Sequence, residues 1–150
     1  MRKTIIALAV TVAAAIGGAA YVLAGQSAVA EEVTLYKNPQ CGCCENYADY
    51  LRDNGFTVTV KPTHDLVSMS REAGIPDDFQ GCHLAFVDDY VVSGHVPIGT
   101  VNKLLKERPA IKGVTLPGMP AGSPGMSGVK NTPFTIFEVG EGQPKVYAVE

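Results

Sequence analysis

Hydrophobic and polar positions change period several times along this chain, and each change marks an element. Thr4 to Gly25 is an uncharged run behind Arg2 and Lys3, and Ala28-Val29-Ala30 follows it as a small-x-small cleavage pattern. This stretch predicts an export signal over residues 1–30, with one folded domain over 31–150. The run is long enough to span a bilayer, so an uncleaved anchor is the alternative, although its glycines and alanines make a weak spanning helix.

After Glu31 the periods become short. Val33 to Lys37 alternates as a strand, and Asn38-Pro39-Gln40 reads as a turn. From Cys43 or Cys44 the pattern is helical, with Tyr47, Tyr50 and Leu51 on one face and Asn54-Gly55 closing it. Phe56 to Lys61 alternates again. Leu66 to Ala73 predicts a helix that Asp65 can cap and Gly74 ends. Leu84 to Asp88 and Tyr90 to Ser93 predict a hairpin turning at Asp88-Asp89. Pro97 then opens a helix over Ile98 to Glu107, with Val101, Leu104 and Leu105 facing inward. The order is β-α-β-α-β-β-α, a small α/β sandwich. Leu116 to Gly128 is almost entirely Gly, Pro, Ser, Ala and Met and predicts an irregular loop. Phe134 to Val139 and Lys145 to Val149 predict a closing β-hairpin on the sheet edge.

Composition narrows the function. Without Arg2 and Lys3 the 12 basic residues fall to 10 against 15 acidic ones, a net charge of −5. Nothing clusters Lys and Arg as a phosphate-binding surface would require, so nucleic acid is not expected as a partner. The chain carries no P-loop, dinucleotide fingerprint, G-x-S-x-G elbow or H-E-x-x-H helix. Asp77-Asp78 and Asp88-Asp89 read as solvated turn carboxylates.

Three of the four cysteines fall within four residues, Cys41-Gly42-Cys43-Cys44, at the start of the first helix. A redox dithiol needs two sulfurs; the third points to soft-metal ligation, which helix-terminal N–H groups favour by stabilising thiolates. The bland alternative is an inert disulfide plus a buried thiol. Cys82 and His83 are adjacent, so both reach one centre only if the backbone bends there. Their bland alternative is a disulfide from Cys82 to the cluster, with His83 in solvent. His95 lies just past a strand end, where sites are commonly built, whereas His64 reads as a surface residue. Met119 and Met126 sit in two near-copies of Pro-Gly-Met, and thioethers are soft ligands that an oxidising compartment cannot tie up as disulfides. Cysteine, methionine and histidine together form a copper-type set, and the spacing fits zinc poorly.

CGCC after the first strand, GCHLAFVDDYVVSGHVP in the middle and LPGMPAGSPGM near the end occur in order. By these segments the chain resembles the CopG family of bacterial copper-resistance proteins, which are distinct from the DNA-binding repressors of the same name. The match runs from about Val33 to Met126. The resemblance implies a thioredoxin-like fold, a periplasmic address, and more than one copper ion in a thiolate-rich cluster that passes between Cu(I) and Cu(II). It implies Cys41, Cys43, Cys44 and Cys82 as thiolate ligands, with His83, His95, Met119 and Met126 nearby. Cys82-His83 occupies the slot where a thioredoxin-like protein usually places a cis-proline, which weakens any expectation of ordinary disulfide exchange. The expected partners are copper ions and a copper exporter or other periplasmic copper proteins, with no membrane contact after signal cleavage. Turnover as a copper oxidoreductase, thiol–disulfide exchange through Cys41 and Cys44, and a carrier without redox change remain the competing functions.

Overall fold

The computed structural model describes residues 30–150, so the expected signal peptide, Ala30 apart, lies outside the described residues. Its elements are β1 (Glu32–Lys37), α1 (Gly42–Asp53), β2 (Thr57–Pro62), α2 (Leu66–Glu72), a 3-10 turn (Asp77–Phe79), β3 (His83–Val87), β4 (Tyr90–Ser93), α3 (Ile98–Glu107), β5 (Gly113–Thr115), β6 (Thr135–Val139) and β7 (Val146–Val149). The α/β class and the order through α3 are as expected from the periodicity. Among the described residues no helix is long and apolar enough to cross a membrane.

One seven-stranded sheet runs in the order β2-β1-β3-β4-β5-β6-β7. Strands β1 and β2 pair in parallel, β3 runs antiparallel to β1, β4 runs antiparallel to β3, and β5 pairs in parallel with β4. The closing hairpin is present, but it reaches the sheet through β5. No strand was expected at Gly113–Thr115, because three residues are too few to show a period.

Alternation along the strands sorts side chains to two faces. Val33, Leu35, Ala85, Val87, Val92, Val114 and Ile136 join Tyr47, Ala48 and Leu51 of α1 and Val101 and Leu104 of α3 in the main core. On the other face Leu84, Val91, Val139 and Ile75 form a smaller cluster, against which Leu66 and Met69 of α2 pack. Helices α1 and α3 thus cover one face and α2 the other. Asp65 stands at the N-cap position of α2 without a side-chain cap bond; Thr63 Oγ1 instead accepts the Asp65 backbone N–H at 3.1 Å.

Candidate metal centre

Two segments far apart in sequence meet at the end of the sheet beneath the start of α1. The first leaves β1, turns through Asn38-Pro39-Gln40 and enters α1 with Cys41 at the N-cap. The second is the bend at Gly81-Cys82 that leads into β3. Gly81 and Gly94 press together backbone to backbone, leaving no space for a Cβ at Gly81. Serine 93 fixes the bend, its hydroxyl accepting the Gly81 N–H at 3.0 Å.

In this arrangement the ligand atoms of Cys41, Cys43, Cys44 and Cys82 all lie within 4.8 Å of one another, as do those of Cys82, His83 and His95. Cys82 belongs to both groups and joins a sulfur cluster to an imidazole pair. Cys41 and Cys44 are bonded as a disulfide, whereas Cys43 and Cys82 are free. Each free thiol flanks one end of the bridge. Cys43 Sγ lies 3.4 Å from Cys41 Sγ, and Cys82 Sγ lies 3.6 Å from Cys44 Sγ. The bland expectation that Cys82 closes a disulfide to the cluster is thus not met, and His83 is fully buried rather than solvated.

Burial sets the protonation states. Cys82 is pushed up to about 12, first by desolvation and then by the neighbouring Cys43. Burial and then His95 depress His83 to about 3, and burial holds His95 below the usual imidazole range. Both rings are therefore neutral near pH 7. His95 Nδ1 is 2.6 Å from the Pro124 carbonyl, which can only accept, so the proton sits on Nδ1. Its bare Nε2 faces Cys82 Sγ at 3.0 Å. His83 Nδ1 lies 3.5 Å from the same sulfur, and His83 Nε2 is buried without a partner. Tyr47 holds both rings: it stacks on His83 at 4.5 Å, meets His95 edge-on at 5.3 Å, and anchors its hydroxyl on the Val96 carbonyl at 2.9 Å.

The Gly/Pro/Met-rich loop reaches this centre through its backbone. Besides the Pro124 carbonyl on His95, the Gly125 carbonyl accepts from Asn46 Nδ2 at 3.3 Å, and Gly118 bridges to Gly81. Met119 is 56% exposed and Met126 is half-buried, so the two copies of Pro-Gly-Met occupy different environments.

Two participants were not singled out in the sequence. Tyr47 shows in the sequence only as an inward-facing helix residue. Lys37 ends the strand in phase with Val33 and Leu35 on the buried side of β1, and that alternation is the signal the sequence offers for it.

The donor chemistry fits a soft ion: two free thiols, two further sulfurs freed by a two-electron reduction, and a desolvated imidazole nitrogen with no protein partner. A family model described as "Protein of unknown function, DUF411" matches residues 79–126. Among curated proteins nothing matches. Two solved structures are similar. "Copper resistance protein copG- Form 2" has a TM-score of 0.75 at 32% identity, covering 81% of this chain and 99% of that one. "Copper resistance protein copG- Form 1" has a TM-score of 0.74 at 32% identity, covering 81% and 98% respectively.

Proposed function

The chain belongs to the CopG-type copper-resistance family, and from that premise we propose that it holds copper ions as cargo in a multi-thiolate cluster outside the cytoplasm. The observation that carries this reading is the convergence of four sulfurs on one another, with Cys82 shared between them and two imidazoles. Closely spaced thiolates can bridge ions, which supports more than one copper per chain.

In this reading Cys41, Cys43, Cys44 and Cys82 supply sulfur to Cu(I), and His83 and His95 supply neutral nitrogens that suit Cu(II). Met119 and Met126 complete or cover the site from the loop. The Pro124 carbonyl fixes the His95 tautomer that leaves Nε2 free to ligate. Electrons balance within the site. Two Cu(I) losing one electron each would reduce the Cys41–Cys44 disulfide to two thiolates; the reverse forms the disulfide and leaves two Cu(I). This balance is what would make the protein a copper oxidoreductase rather than a simple carrier. The β2-β1-β3-β4 order with α1 and α3 on one face supports describing the fold as thioredoxin-like.

Residues 1–30 act as the export signal and the periplasm is the working compartment, with an exporter or another periplasmic copper protein as the transfer partner. X-ray absorption at the copper edge of the Cu(I)-loaded protein tests the ligand set. Sulfur-dominated coordination with a second copper nearby is expected, and coordination by oxygen and nitrogen alone contradicts the cluster.

The C-x-x-C disulfide at a helix N-terminus favours a second reading, a thiol–disulfide oxidoreductase using Cys41 and Cys44. It requires disulfide reductase activity that survives loss of Cys43 and His95.

A further inference from the structure

Lys37 is only 3% exposed, at the end of β1 directly beneath the cysteine loop. Its ammonium donates to the carbonyls of Asn38, Pro39 and Cys41 at 3.3, 3.4 and 3.2 Å and lies 3.0 Å from a Glu45 carboxylate oxygen. Three N–H donors serve four acceptors drawn from the turn before α1, its N-cap and its first turn. A lysine this buried is costly unless fully partnered, and here the partners are the backbone that presents the thiols. Glu45, the one acceptor with a full charge, is half in solvent, so its charge is screened more than that of Lys37.

We propose that Lys37 is a positioning and electrostatic residue for the cysteine cluster. It pins the 38–41 turn against α1, and its buried positive charge stabilises the thiolates that appear when the Cys41–Cys44 disulfide is reduced. The proposal rests on reading the four cysteines as a site that works through its thiolates. The ammonium lies 3.2 Å from the Cys41 carbonyl, so together with the N-terminus of α1 it adds positive charge beside a residue that reduction turns into a thiolate. Glu45 opposes it from the solvent side. Charge removal at these two positions therefore moves the disulfide in opposite directions, whereas loosening of the turn moves it the same way in both.

The test uses copper-free protein equilibrated with glutathione, in which the disulfide and two glutathione thiols exchange for the dithiol and one oxidised glutathione. The dithiol fraction is read by alkylation and mass measurement. Lys37→Met is expected to shift the equilibrium towards the disulfide by at least about tenfold, the scale of one partly screened charge at close range. That shift corresponds to about 30 mV for a two-electron couple. Lys37→Arg is expected to stay within about threefold of the parent because it keeps the charge. Glu45→Gln is expected to shift towards the dithiol. An unchanged equilibrium in Lys37→Met, or a Glu45→Gln shift towards the disulfide, overturns the proposal. Because Glu45 is exposed, its variant decides the matter even if Lys37→Met fails to fold. No copper is present, so a failure of copper binding leaves this result standing.

Discussion

Two desolvated imidazoles next to a desolvated thiol make the centre sensitive to pH at the level of single residues. His83 is depressed to about 3 and His95 is also lowered, while in the unfolded chain both titrate near about 6.5. As pH falls below that value the unfolded state takes up protons that the folded state refuses, so stability is lost with acidification and is complete only above it. Between pH 6.5 and 5 the copper-free protein is expected to lose stability at a slope of one to two protons, about 1.4 kcal/mol per pH unit for each. Urea denaturation across that window, repeated with His83→Asn, measures the slope; one equally steep in the variant contradicts the assignment. Cys82, pushed up to about 12, enters copper binding protonated and must release that proton. Cu(I) affinity is therefore expected to weaken by roughly tenfold per pH unit on acidification from pH 8 to 6, measured by competition with a chromophoric chelator. An affinity flat over that range contradicts it. The ligand types were legible from C-G-C-C and C-H because sulfur and imidazole chemistry follows from residue identity. The Cys41–Cys44 pair was legible as the C-x-x-C of the thiol–disulfide reading, but that these two bond and Cys43 stays free depends on how the helix start presents three crowded thiols.

At the level of elements, the site depends on three backbone features: the N-cap of α1, the Gly81-Cys82 bend and the docked loop. The loop was legible only as irregular. Its packing onto α1 connects Asn46 with Gly125, a pairing between distant segments that composition cannot show. Gly125 has a left-handed φ of 78°, and a Cβ there would come within 2.7 Å of the Tyr47 nitrogen. Gly125→Ala is therefore expected to cost about 1–3 kcal/mol and to lift the Pro124 carbonyl away from His95. Denaturation gives the first effect, and loss of the downfield Nδ1 proton resonance of His95 gives the second. A variant with parental stability and that resonance intact contradicts the docking. The bend at Gly81-Cys82 was foreseen as a condition for Cys82 and His83 to share a centre. What imposes it, the Gly94 backbone and the Ser93 hydroxyl, belongs to strand pairing and lay beyond local pattern.

For the whole molecule, the strand and helix order through α3 followed from period and turn residues, most closely at Tyr90–Ser93 and Ile98–Glu107, whose bounds match the expectation. The C-terminal hairpin lies at the sheet edge as expected, but β5, which alone connects it to the sheet, is too short to read. The hairpin is integral to the fold: Ile136 is fully buried in the same core as Leu35. Ile136→Ala is expected to cost about 2–5 kcal/mol, comparable to Leu35→Ala, and a cost under about 1 kcal/mol would show the hairpin to be an appendage. The sheet brings Cys41, Cys43 and Cys44 at the start of α1 against Cys82 and His83 at the start of β3, and on that meeting the account of function depends. Anaerobic titration of the fully reduced protein with Cu(I) tests it most directly. More than one Cu(I) per chain, with a clear decrease in Cys43→Ser, is the expected result; one or none, unchanged by that substitution, would contradict a multi-thiolate copper cluster.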